Sequence, residues 1–146
     1  MKLRLANSGD LKAVKEIAGL LYIDMPDFVW DTEEFIKKQI KRGEYYIGEE
    51  NGKTAGMVSL RERNGMLYIE TLAVVKDAQS SGIGSKLVEF AKKFAKDKGF
   101  KILRTTSFYE YGVKDFYIKQ GFRLLDEPGE YNGHKFYRLE FKLSTV

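Results

Sequence analysis

Gln79-Ser80-Ser81-Gly82-Ile83-Gly84-Ser85 stands between an apolar stretch, Ile69-Glu70-Thr71-Leu72-Ala73-Val74-Val75, and a segment of helical periodicity over residues 86–98. A helix N-terminus leaves backbone N–H groups without partners and carries partial positive charge. Glycine just before it lets a ligand approach those groups with no Cβ in the way. Strand, glycine turn and helix in this order make an anion site suited to phosphate or pyrophosphate. Two well-characterised phosphate loops do not fit. The mononucleotide loop needs G-x-x-x-x-G-K-[ST], and here Lys86 follows Ser85 rather than a glycine. The dinucleotide fingerprint needs a third Gly or Ala where Leu87 stands. What remains is Q-x-x-G-x-G after a strand.

A second segment, Phe116-Tyr117-Ile118-Lys119-Gln120-Gly121-Phe122, reads Y-x-K-x-G-F, with Gly121 ending a short helix and Phe122 opening a strand. The two motifs, in this order and separation, resemble the acyl-CoA pyrophosphate loop and the C-terminal segment of the GNAT superfamily of N-acetyltransferases. The resemblance covers essentially all 146 residues. It implies a single-domain α/β fold over residues 1–146, a mixed sheet with helices on both faces. It also implies acetyl-CoA as co-substrate, no metal, and attack of a primary amine on the thioester in a ternary complex.

Carried onto this chain, the resemblance assigns the pyrophosphate to the backbone N–H groups of Gly82, Ile83, Gly84 and Ser85, with Gln79 lining the turn. The backbone of Leu72, Ala73 and Val74 would pair with pantetheine as an added strand does. Tyr117 stands at the position of the usual proton donor to the departing sulfur; a core aromatic is its plainer reading. Glu70 lies where several members carry a base, and strand alternation puts it on one face with Leu72 and Val74. An alkyl ammonium has a pKa near ~10.4, so a nucleophilic amine must first lose a proton, through water to such a carboxylate. A salt-bridged strand glutamate is the equal alternative. One departure stands out: many members have Asn seven positions before the tyrosine, and here that residue is Glu110.

The segment joining the first two helices, Tyr22-Ile23-Asp24-Met25-Pro26-Asp27-Phe28-Val29-Trp30, and the turn over residues 127–134 correspond to the parts that shape the acceptor pocket in this fold. Asp24, Asp27, Trp30 and Glu110 are therefore the candidate acceptor contacts, suited to a cationic amine by charge and cation–π attraction. The expected partner is a small-molecule, peptide or protein amine, with no nucleic acid or membrane; a homodimer is left open. A non-catalytic acyl-CoA-binding sensor or interaction module is the competing reading.

Composition narrows the chemistry. The chain has no Cys, which rules out disulfides, thiolate metal sites and an acyl-cysteine intermediate. Its one histidine, His134, sits in a Gly-containing turn and reads as an exposed loop residue, which argues against a Ser-His-Asp triad or a multi-His metal site. A net charge of +4 suits a polyanionic ligand, yet lysines are interleaved with acids as on solvated helix faces. No apolar stretch is long enough to span a bilayer, and Met1-Lys2-Leu3-Arg4-Leu5 lacks a signal-peptide core, so a cytoplasmic location is expected.

The elements that must position these residues follow from periodicity and turn chemistry. A strand over 2–6 leads through an Asn7 or Ser8 cap to a helix burying Leu11, Val14, Ile17, Ala18 and Leu21. Asp31-Thr32-Glu33-Glu34 predicts a capping box for a second helix that Gly43 stops. Asn51-Gly52 and Asn64-Gly65 mark two hairpin turns. After the central helix, strands are predicted over 101–106, 122–126 and 135–143, with a short helix over 113–119. The order is β-α-α-β-β-β-α-β-α-β-β.

Overall fold

The computed structural model of the chain describes residues 1–79 and 82–143, so Ser80 and Ser81 of the glycine loop lie outside the described residues. The chain divides into two units, Met1–Leu60 with Thr71–Leu87, and Arg61–Glu70 with Val88–Val146.

The first unit carries β1 (Lys2–Leu5), α1 (Leu11–Ala18), α2 (Glu33–Lys41), β2 (Tyr45–Glu50) and most of β3 (Lys53–Arg63). It also holds the end of β4 (Met66–Val74) and the first turn of α3 (Ile83–Asp97). Its strands neighbour one another in the order β1-β2-β3-β4. Asn7 caps the turn before α1: its side chain accepts from Gly9 N, and Asp10 reaches back to the Asn7 N–H at 2.8 Å. The fork of Arg4 holds Asp10 through two 2.8 Å bonds, and its Nε donates to Glu49 at 2.6 Å. The predicted capping box on α2 is corrected to a simple cap. Thr32 is the cap residue and accepts from Phe35 N at 3.4 Å, so the third helical position is Phe35 and no glutamate can reach back. Asn51 and Gly52 both take positive φ, as a two-residue hairpin turn demands.

One face of β2 and β3 buries Tyr45, Ile47 and Met57 with Val14, Ile17 and Ile36 of α1 and α2. On the alternate residues, Gly48 and Gly56 lie under Ile83 and Leu87 of α3. Helices therefore cover both faces of this pair of strands. A Cβ on Gly56 would stand 2.9 Å from the Ala73 carbonyl oxygen and 3.0 Å from a Leu87 methyl. The missing side chain is what lets the start of α3 settle against β3.

The second unit carries the start of β4, the rest of α3, β5 (Ile102–Phe108), α4 (Lys114–Lys119), β6 (Arg123–Leu124), β7 (Gly129–Tyr131) and β8 (His134–Lys142). Its strands run β4-β5-β8-β6, with β7 on β8. The β4/β5 pair is parallel and the β5/β8 pair antiparallel, so the sheet is mixed, as expected. The hairpin of β7 and β8 was not expected: residues 127–134 read as a plain turn. Asn132 and Gly133 make a third positive-φ hairpin turn, and three residues on each side pair.

Candidate functional site

Along β4 burial alternates: Leu67, Ile69, Thr71 and Ala73 are buried, while Met66, Tyr68, Glu70, Leu72 and Val74 are partly exposed. Glu70, Leu72 and Val74 therefore share a face, as the alternation predicts. The parallel register with β5 runs from Leu67↔Leu103 to Ile69↔Thr105, whereas β4 continues to Val74 and β5 to Phe108. On the far side of β4, Val75 N donates to Ala55 O at 2.9 Å. The Val74 carbonyl accepts instead from the Gln79 side chain at 3.2 Å, which fastens the turn leading to α3 back onto the end of β4.

Directly after that turn, Gly82 takes φ +79° with nothing within 4 Å of where a Cβ would stand. The helix opens at Ile83, with Gly84 and Ser85 in its first turn. The amides of Ile83 and Gly84 precede any helical carbonyl that could accept from them. The backbone from Gly82 to Gly84 thus offers donors at the positive end of a helix of 15 residues, with open space where a Gly82 side chain would stand. These are the features a pyrophosphate group needs.

In the second unit Tyr117 of α4 is buried, with Phe116 and Phe122 set edge-on to its ring at 5.1 and 5.5 Å. Burial pushes its phenol up to about 12, against the opposing effect of a hydrogen bond with Thr105. Thr105 in turn donates to Ile69 O at 3.3 Å, which ties Tyr117 to the last registered pair of β4 and β5. At neutral pH the Tyr117 hydroxyl keeps its proton, as a proton donor must.

Glu70 forms an ion pair with Arg63 at 2.9 Å, and its side chain is only 11% exposed. Arg63 stands just before the Asn64-Gly65 turn, and its guanidinium also lies 5.6 Å from the centre of the Tyr68 ring. Glu110, expected to face a cationic acceptor, has its carboxylate hydrogen-bonded to His134, which holds it below the usual carboxylate range. His134 is corrected from an exposed loop residue to the first residue of β8 and the partner of Glu110. Sequence reasoning missed all three partners, Arg63, Thr105 and His134, because each pairing joins different elements rather than neighbours at a local spacing.

The Tyr22–Trp30 segment of the first unit packs on itself. Tyr22, Phe28, Trp30 and Phe35 form a chain of edge-on rings at 5.4, 5.1 and 6.5 Å. Asp24 accepts from the Tyr22 hydroxyl at 3.3 Å, and Asp27 takes positive φ; both are exposed. Among the described residues no cluster of His, Cys, Asp and Glu could hold a metal ion, and no helix is long and apolar enough to cross a membrane.

A sequence profile of the Acetyltransferase (GNAT) family matches residues 14–122. The chain belongs to this family. GNAT relatives agree in fold. The PaiA N-acetyltransferase from Thermoplasma acidophilum, solved with coenzyme A, superposes with a TM-score of 0.79 at 19% identity, over 97% of this chain and 98% of that one. Ard1 from Thermoplasma volcanium gives 0.83 at 17% identity, over 98% and 97%. Among curated proteins, the chain is similar to a β-lysine N(6)-acetyltransferase from Methanococcus maripaludis, 24% identical over 123 residues. That match takes in 82% of this chain but only 45% of the relative's length.

Proposed function

We propose that the protein is an N-acetyltransferase that moves the acetyl group of acetyl-CoA to a primary amine by direct attack. The observation that carries this reading is the sequence of β4 end, Gly82 turn and α3 N-terminus in a chain of the GNAT family. The open space and donors there fit a pyrophosphate. Gly82, Ile83, Gly84 and Ser85 would hold it by their backbone N–H groups, and Leu72, Ala73 and Val74 would pair with the pantetheine arm. Gln79 would release the Val74 carbonyl that it now occupies. Bound acetyl-CoA supplies an activated thioester carbonyl.

The chain's own residues then handle protons. Glu70 takes one from the incoming ammonium through water, the nitrogen–carbon bond forms, the carbon–sulfur bond breaks, Tyr117 gives its proton to the sulfur, and the second proton shed by the nitrogen as it becomes an amide restores the Tyr117 hydroxyl. For Glu70 this requires the Arg63 pair to loosen as the proton arrives. Exposed Asp24 and Asp27 favour an acceptor with an ammonium besides the reacting amine, as the substrate name of the β-lysine relative has. A second reading, an acyl-CoA sensor without turnover, is favoured by one observation: Glu70 and Tyr117 are both engaged within the chain, with Arg63 and Thr105.

Gly84 lies in the first turn of α3, among the proposed anion donors, where helical backbone tolerates a side chain. Gly84→Val should raise the acetyl-CoA dissociation constant at least tenfold, about 1.4 kcal/mol, while circular dichroism stays that of the parent. Unchanged calorimetric affinity in the folded variant would remove the cofactor assignment.

A further inference from the structure

Within the second unit, a cavity of about 310 Å³ opens between Tyr68, Arg104, Thr106, Leu125, Phe136 and Arg138. The strand registers Tyr68↔Arg104 and Thr106↔Arg138 bring these side chains together from three strands. Arg104 is held in place: it donates to Glu140 at 2.9 and 3.0 Å and is hydrogen-bonded with Tyr68. Glu140 also meets Arg123 at 3.5 Å, so its one carboxylate is shared by two guanidiniums. Arg138 has no acidic partner among the described residues; its guanidinium lies 5.7 Å from the centre of the Phe136 ring, exposed to solvent. Two arginines thus line a cavity with no acid in its wall, beside an apolar surface made by Phe136 and Leu125.

From this arrangement we infer that the cavity is a carboxylate subsite for the amine acceptor, so that the acceptor is an amino acid or similar amino-carboxylate rather than a simple amine. The inference rests on the acetyltransferase reading above. A planar guanidinium fork matches a carboxylate through paired N–H···O bonds. Arg104 already directs its donors at Glu140, which leaves the Arg138 fork as the one open to a carboxylate entering the cavity. The apolar wall suits the carbon skeleton behind it, and the volume is at the small-molecule end of ligand sites. Tyr68, in the cavity wall, is two residues before Glu70 on the same face of β4, and Arg63 touches both. An acceptor anchored by its carboxylate at Arg138 would therefore extend along β4 toward the residue proposed as base.

The test uses pairs that differ only by the carboxylate: lysine against cadaverine and ornithine against putrescine as acceptors, with Nε-acetyllysine against N-acetylcadaverine as calorimetric probes. The acid of each pair should be favoured roughly tenfold, the scale of a charge-assisted contact, in both kcat/KM and probe affinity. Arg138→Gln should bring the ratio to near unity, with acetyl-CoA affinity unaltered, and Arg138→Lys should recover part of it. If no amine is acetylated, the acetyltransferase reading fails, and probe binding still decides the subsite on its own. Equal binding of Nε-acetyllysine and N-acetylcadaverine, a ratio unmoved by Arg138→Gln, or tighter binding of inorganic phosphate than of the carboxylate probe would each overturn the inference.

Discussion

A single hydroxyl separates the two roles open to Tyr117. As a core aromatic it contributes its ring, packed by Phe116 and Phe122; as the acid it contributes its proton. Tyr117→Phe keeps the first and removes the second, so turnover should fall roughly 10²–10⁴-fold with acetyl-CoA affinity nearly unchanged. Parental turnover, with chemistry shown to be rate-limiting, would leave Tyr117 a packing residue. The phenol also makes an alkaline prediction. Its pKa rises from 10.0 unfolded to about 12 folded, so the folded state binds more protons between those values. The resulting stability is fully present below pH 10 and is lost as pH rises toward 12. Tyr117→Phe should flatten that loss in denaturant titrations; an unchanged alkaline slope would mean the phenol is more solvated than its burial implies. Motif residues were legible in the sequence, but their partners were not: nothing local to Glu110 points to His134 on β8.

The positioning of α3 is a property of elements. Its first turn rests on β3 because Gly56 has no side chain to hold it off. Gly56→Val would drive a branched side chain into the Ala73 carbonyl and Leu87, costing about 1–3 kcal/mol of stability. It should also weaken acetyl-CoA binding, because the displaced element carries the proposed anion donors. Loss of stability with full cofactor affinity would separate the helix seat from the site. Turn chemistry made most of these elements readable: Asn51-Gly52 and Asn64-Gly65 both take the positive φ that such turns demand. Asn132-Gly133 carries the same signal, yet the short strand before it, Gly129–Tyr131, has too few residues to show alternation. On α2, two adjacent candidate caps made the boundary ambiguous by one residue, and Thr32 took the position because its hydroxyl reaches Phe35 N.

At the scale of the whole chain, two short motifs in the right order led to the family that the profile over residues 14–122 establishes. The acceptor was far less legible. The acidic segment over residues 22–30 drew the sequence reading toward a cation, while the arginine-lined cavity arises from strands distant in sequence, Tyr68, Arg104 and Arg138 meeting only through register. Transfer of an acetyl group is the claim on which the roles of Glu70, Tyr117 and Arg138 all depend. It is tested most directly by incubating the protein with isotope-labelled acetyl-CoA and a panel of amines and amino acids, and measuring N-acetylated product and free CoA by mass spectrometry. The account predicts labelled acetyl on an amine nitrogen in equal amount to free CoA, well above the rate without protein. Firm acetyl-CoA binding with no labelled amine anywhere in the panel would contradict it and establish the sensor reading instead.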